Sequence, residues 1–333
     1  MLTDLLIKYA ILLTICGLVL ASGVDIDSKT NIASYFTYEF GGTDLLSYCE
    51  NNDANILAIS LPLKFNNLYA DFSKDKKYKV DYKQLTSGIV SCQSLGKQVL
   101  LTLSVNSQEY GFKDDSEAEI FAQNLWDTFG EGSAKHNSNN PFENISLDGF
   151  NFNVTDVSSN EDNEGYSALI SKLRSLFTLG KKDYFISATT YYSNAEQYIT
   201  NDLLTNSDID FIFLHDSVGQ DTNKKLINWQ AWVNYSQTIS PNPEVKLYVG
   251  LHFLEEPSLL NPPEFSELVK SISQSKYFGG ISFLDIMNSQ KNLNVVSQLK
   301  EILVNNIQNN FVETVDTTIF RINVSENIAI STN

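Results

Sequence analysis

Basic residues, histidine and cysteine are all scarce in this chain, and each shortage narrows what it does. Twenty-three Lys and Arg face forty Asp and Glu in 333 residues, a net charge of −17. Phosphate binding needs concentrated basic side chains, so nucleic acid is not an expected partner. The three histidines, His136, His215 and His252, show no metal-ligand spacing, and neither a metal nor a cofactor is expected. Long apolar runs are missing too. The run from Ala10 to Ala21 is shorter than the about 20 residues a bilayer span needs. Lys8 precedes it, and Val19 and Ala21 are spaced for a cut near Ala21–Gly23, so residues 1–22 are expected to be a secretory signal. A buried N-terminal helix is the alternative. The ending "INVSENIAISTN" carries no apolar tail, which speaks against a lipid or other membrane anchor. No Ser/Thr-rich stalk and no Cys-rich carbohydrate module stand out.

What is present fits an oxidising, extracellular setting, with cell-wall association as one possible address. Of three cysteines, Cys16 leaves with the signal, while Cys49 and Cys92 remain. They fit one disulfide, or else two buried thiols. Glycosylation sequons stand at Asn144, Asn234 and Asn323. A fourth, Asn153-Val154-Thr155, lies inside a strand-like segment and makes a poor acceptor.

Strand-like and helix-like stretches alternate along the chain. "NIASYFTY" (31–38), "NILAISLPL" (55–63), "QVLLTLSV" (98–105), "LDGFNFNVTD" (147–156), "DYFISATT" (183–190), "IDFIFLH" (209–215), "EVKLYVGLH" (244–252) and "GGISFLD" (279–285) read as strands. Several are nearly continuous apolar runs, the mark of strands buried on both faces. Between and after them, 43–51, 82–96, 114–130, 165–177, 193–204, 222–236, 263–274 and 291–308 read as helices. The clearest, 114–130, has acids in its first turn and Ala118, Phe121, Ala122, Leu125 and Phe129 at helical spacing. Eight βα units predict an α/β fold, a single (β/α)8 TIM barrel with a closed, parallel eight-stranded sheet and outer helices. An open doubly wound sheet is the alternative, but "TYEFGGTD" lacks the full Gly-rich phosphate spacing. The barrel is expected over 30–308, with 309–333 as a C-terminal extension.

Active sites of such barrels sit at the C-terminal ends of the strands. The fourth strand therefore matters most. In "LDGFNFNVTD", Asn151, Asn153 and Thr155 share one face by the period of two. Acid–base chemistry calls for carboxylates there, and none is present.

These residues resemble glycoside hydrolase family 18, and within it the fungal and plant class III chitinases. The resemblance is densest in "SCQSLGKQVLLTLS", "YGFKDDSEAEIFAQNLWDTFGEG", "LDGFNFN", "KLYVGL" and "GGISFLD". The family pattern on the fourth strand is D-G-x-D-x-D-x-E. Here Asp148 and Gly149 match, Asn151 and Asn153 replace the inner aspartates, and Thr155 holds the position of the catalytic Glu. The resemblance implies that this Glu would protonate the glycosidic oxygen while the substrate's N-acetyl carbonyl attacks the anomeric carbon. Other departures agree. Ser104-Val105 replace a Gly-Gly pair, Thr37-Tyr38 a Gly-Gln pair, His215 and Ser217 a Gln and a Tyr, and Leu284 a Trp. Cys49 and Cys92 match the family's bridge between the first two helices. The implied protein is a chitinase-like binder without intact catalytic residues, its partner chitin, another cell-wall glycan or a protein. The alternative is a hydrolase with weak or altered activity. Tyr38, Tyr110, Tyr191, Tyr192, His215 and Phe253 fall near strand ends and are the candidate ligand-binding residues. Trp126, Trp229 and Trp232 lie on outer helices, where core packing is the simpler reading.

Overall fold

In the computed structural model, residues 24–38, 44–61, 64–66, 69–71, 80–105, 112–132, 140–143, 145–154, 165–191, 195–215, 229–252, 262–284 and 296–307 are described. The strands are β1 (Asn31–Thr37), β2 (Ile56–Ser60), β3 (Lys64–Asn66), β4 (Tyr69–Asp71), β5 (Gln98–Val105), β6 (Gly149–Val154), β7 (Phe185–Tyr191), β8 (Phe211–His215), β9 (Lys246–His252) and β10 (Phe278–Leu284). Eight of them close into a barrel in the order β1-β10-β9-β8-β7-β6-β5-β2, and each neighbouring pair is parallel. This is the expected (β/α)8 architecture. The short antiparallel hairpin β3–β4, between β2 and the next helix, is an addition that the apolar pattern did not announce.

The helices are α1 (Leu45–Glu50), α2 (Tyr82–Ser94), α3 (Asp115–Phe129), α4 (Tyr166–Phe177), α5 (Ala195–Ile199), α6 (Asp202–Asn206), α7 (Trp229–Thr238), α8 (Pro262–Ile272) and α9 (296–307). Aspartates start the first three: the Oδ1 atoms of Asp44, Asp81 and Asp114 accept from the N–H groups of Ser47, Gln84 and Glu117 at 2.9–3.0 Å. Such caps satisfy backbone donors that an isolated helix leaves open. The single helix expected over 193–204 is instead α5 and α6. Asn201 interrupts it, its Oδ1 accepting from the Leu203 N–H at 2.9 Å to start a new helix. Among the described residues the helix expected over 222–236 begins at Trp229 and runs on to Thr238. Cys49 of α1 and Cys92 of α2 form a disulfide, their Cα atoms 5.2 Å apart.

Side chains alternate across each strand, so the barrel has two cores. Ile32, Leu57, Leu101, Phe150, Ile186, Ile212 and Ile281 face outward into the helical layer. Ala33, Tyr35, Ile56, Ala58, Leu100, Phe185, Phe211, Phe213 and Tyr248 fill the interior. Trp126 and Trp232 are buried and Trp229 is packed against the outer core, as their place on helices suggested.

The bottom of the barrel, at the N-terminal ends of the strands, is held by a repeated device. Asn55, Asp148 and Asp210 each immediately precede a strand (β2, β6, β8). Their side-chain oxygens accept from the N–H groups of Ile32, Val99 and Ile186 on the preceding barrel strand, at 3.1, 2.8 and 2.7 Å. A cation backs each one: Lys300 Nζ lies 3.2 Å from Asn55 Oδ1, Lys182 Nζ 2.6 Å from Asp148 Oδ1, and Arg174 Nη2 2.9 Å from Asp210 Oδ2. Gly149 follows Asp148 with φ +146°, and a Cβ there would lie 1.8 Å from the Phe185 carbonyl oxygen. Only glycine suits that contact.

Candidate functional site

At the opposite end a belt of neutral hydrogen-bonding groups crosses the interior. Its centre is Asn151 of β6, fully buried. The Asn151 Oδ1 accepts from Ser187 Oγ at 2.8 Å and Thr189 Oγ1 at 3.0 Å, both on β7, and its Nδ2 points to Thr102 Oγ1 of β5 at 3.4 Å. A threonine hydroxyl has one proton, and that of Thr189 goes to Asn151. The Tyr35 hydroxyl of β1, 2.6 Å from Thr189 Oγ1, is therefore the donor in that contact. The Tyr35 ring meets His215 of β8 edge-on at 5.2 Å, and His215 Nε2 lies 2.8 Å from Ser282 Oγ of β10. Gly250 of β9 makes room for this ring, because a Cβ there would lie 2.8 Å from His215 Nδ1 and 2.1 Å from the Leu214 oxygen.

Above the belt, at the barrel mouth, lies a cavity of about 130 Å³. It is lined by Tyr35, Thr37, Ser60, Thr102, Asn153, Thr189, Thr190, Tyr191 and His215. Burial pushes the Tyr35 phenol far above its ordinary range, so it stays neutral. Among the described lining residues none is a carboxylate, lysine or arginine. His215 supplies the one imidazole among them. Such a lining hydrogen-bonds well, but it offers no fixed charge to a reacting group.

The structure separates the residues that the strand motif grouped. Asn151 belongs to the belt and Asn153 to the cavity wall. Asp148 does not belong to the site at all: it is the bottom plug between β5 and β7, also bonded by Gln93 Nε2 at 3.0 Å. Thr155 lies outside the described residues. Among the aromatic candidates, Tyr191 lines the cavity and packs against Tyr198 at 5.9 Å. Tyr38 turns away: its hydroxyl accepts from the Asp81 N–H at 2.8 Å, at the start of α2. Tyr110, Tyr192 and Phe253 lie outside the described residues, as do His136, Ser217, Asn144 and Asn323. Asn234 is exposed on α7, while Ser236 of its sequon is buried and bonded to the Trp232 carbonyl at 3.0 Å. The strand motif did not single out Tyr35, Thr102, Ser187, Thr189 and Ser282. All five sit at inward-facing positions, a signal that becomes readable once the barrel register is known.

Comparison with known proteins places this architecture. No family model matches the chain. An endochitinase of Saccharomyces cerevisiae is 38% identical over 286 residues, covering 80% of this chain and 48% of that protein. The chain belongs to the chitinase-like proteins of glycoside hydrolase family 18. Chitinase 1 of Candida albicans is 33% identical over 286 residues, covering 83% of this chain and 59% of its own. The chain thus spans about half the length of the curated relatives it matches. Among solved structures, a chitinase from Ipomoea carnea superposes with a TM-score of 0.62 at 22% identity, covering 82% of this chain and 99% of its own. A chitinase-like lectin from tamarind does so with a TM-score of 0.55 at 17% identity, covering 80% and 98%. Both share the fold. Among the described residues no helix is long and apolar enough to cross a membrane.

Proposed function

We propose that this protein is a secreted chitinase-like barrel that binds a glycan at its mouth without hydrolysing it. The observation that carries this reading is the uncharged mouth: Asn151 and Asn153 stand where the family pattern has aspartates, and no carboxylate lines the cavity among the described residues. Cleaving a glycosidic bond requires a proton for the leaving oxygen. In the sequence, the position of the proton donor is Thr155, and a threonine hydroxyl is far too weak an acid. Asparagine hydrogen-bonds but gives no negative charge to an oxocarbenium or oxazolinium ion. Loss of a general acid alone removes about 10²–10⁴ in rate.

The domain limits that go with this reading are a signal over 1–22, the barrel over 30–308 and an extension over 309–333. The glycan is chitin or another cell-wall polymer, in keeping with relatives named chitinases. The tamarind neighbour is named a lectin, so binding on this fold has a precedent. A protein partner is the other ligand class for the same scaffold. The identity to an endochitinase favours a second reading, a hydrolase whose acid lies outside the described lining.

Incubation with chitin beads tests the proposal through two quantities, protein retained and soluble sugar released. Retention that falls for Tyr191→Ala, with no release, is the expected result. Released oligosaccharide would favour the hydrolase, and no retention of the unaltered protein would remove the chitin-binding version.

A further inference from the structure

The fold divides the sequon Asn234-Tyr235-Ser236 between two faces of α7, and that division decides when the sequon can be used. We propose that Asn234 accepts an N-linked oligosaccharide only before α7 forms, and that the folded protein then carries this glycan on an exposed helix face. The proposal rests on the secreted reading and is independent of what the barrel mouth binds.

Geometry is the first argument. A transferase that reads a sequon must reach the asparagine amide and the hydroxyl two residues on together. In an α-helix, residues two apart point about 200° away from each other around the axis. Asn234 accordingly faces solvent, while Ser236 faces the core at 2% exposure. The Ser236 Oγ is also committed, donating to the Trp232 carbonyl at 3.0 Å. Its neighbours Trp232 and Tyr235 are fully buried, and the Tyr235 hydroxyl donates to the Leu204 carbonyl at 2.6 Å. Exposing Ser236 therefore means undocking the helix.

Compatibility is the second argument. Asn234 Oδ1 accepts from Gln230 Nε2 at 3.0 Å, and both residues are exposed. A glycan on Asn234 Nδ2 extends into solvent and leaves the buried face of α7 untouched. Timing is the third. α7 has 10 residues, and isolated helices shorter than about 12–15 residues are marginal in water. Its packing is completed by chain made later. Trp229, at its start, meets Phe278 of β10 edge-on at 6.2 Å, and β10 also closes the barrel onto β1. Synthesis at about 5–20 residues per second leaves the sequon open for seconds. The donor class is an oligosaccharide on a polyprenyl diphosphate. Its anomeric C–O bond to phosphate breaks and a C–N bond to Asn234 Nδ2 forms. One amide proton passes to a base of the transferase, and polyprenyl diphosphate leaves.

The test compares three presentations of the full chain to the same microsomal transferase and its lipid-linked donor, with glycopeptide mass spectrometry at Asn234 as the readout. In the first, the chain is translated with microsomes present. In the second, the folded, glycan-free chain is added to detergent-solubilised microsomes. In the third, the chain is reduced, alkylated at Cys49 and Cys92 and shown unfolded by circular dichroism before it is added to the same extract. Asn234 should carry a glycan in the first and third, and at least about tenfold less in the second. Ser236→Ala should abolish transfer in all three, and Ser236→Thr should retain it in the first and third. Equal transfer to the folded chain would overturn the timing. A bare Asn234 on the unfolded chain, or transfer indifferent to Ser236→Ala, would overturn the site. A chain that does not enter the microsomes would count against the secreted reading, while the second and third presentations still decide this one.

Discussion

The described residues at the two ends of this barrel treat charge in opposite ways. At the bottom, Asp148 and Asp210 remain ionisable acids, each holding a backbone N–H of the neighbouring strand and facing Lys182 or Arg174. At the mouth, the strand that begins just after Asp148 carries Asn151 and Asn153, and the described lining has no fixed charge. A buried carboxylate is tolerated where cations and backbone donors meet it, and is costly where neutral hydroxyls alone surround it. The bottom keeps its acids because they hold strands together. Among the described residues at the mouth, asparagine stands instead, which hydrogen-bonds but gives no negative charge to a reacting group.

This contrast predicts an order of effects. The largest is at the bottom: Asp148→Ala leaves the Val99 N–H without its side-chain acceptor and Lys182 with the Ser146 carbonyl alone, and should cost about 3 kcal/mol in urea unfolding. A cost below about 1 kcal/mol would break the comparison. Next is the belt, where Asn151→Leu removes the acceptor shared by Ser187 and Thr189. A loss of about 1–3 kcal/mol is expected, and a neutral outcome would mean that the belt does not order the interior.

A pH series sharpens the bottom half of the contrast. Burial, the largest cause, lowers the Lys97 ammonium to about 8 from 10.5, while burial raises the Tyr235 phenol from 10.0 to about 12. Between pH 8 and 10.5 the unfolded chain holds the Lys97 proton more tightly than the folded one, so stability rises with pH. Above pH 10 the unfolded tyrosine loses its proton first, and stability falls. A maximum near pH 9–10 is expected in chemical unfolding, and Lys97→Met should flatten the rise below it. Smallest are the rim changes. Asn153→Ala and Tyr191→Ala should each cost less than about 1 kcal/mol, yet reduce retention on chitin. Large stability losses there would assign the mouth a structural role instead.

Most of the barrel was readable before the structure, because several of its strands are near-continuous apolar runs and the helix over 114–130 opens on acids. The helix interrupted at Asn201 was not, since its apolar pattern continues through the break. The site was half readable. Period two put Asn151 and Asn153 on the inner face correctly. Asp148 was grouped with them by motif, although five residues at about 3.3 Å each place it roughly 16 Å from Asn153. The shared position of Asn55, Asp148 and Asp210, one residue before a strand, is the pattern that marks Asp148 as a plug. Tyr35 was missed and Tyr38 favoured for a related reason. Both lie near the end of β1, and only closure of the barrel reveals that Tyr35 points at Thr189 while Tyr38 reaches Asp81.

Binding without turnover is the central claim, and steady-state hydrolysis of a fluorogenic chitotrioside by the full chain, beside an active fungal chitinase, tests it most directly. The account predicts turnover at least about 10³-fold below the active enzyme, the scale set by a missing general acid. Turnover within that factor, lost when a single carboxylate of this chain is replaced by its amide, would contradict it.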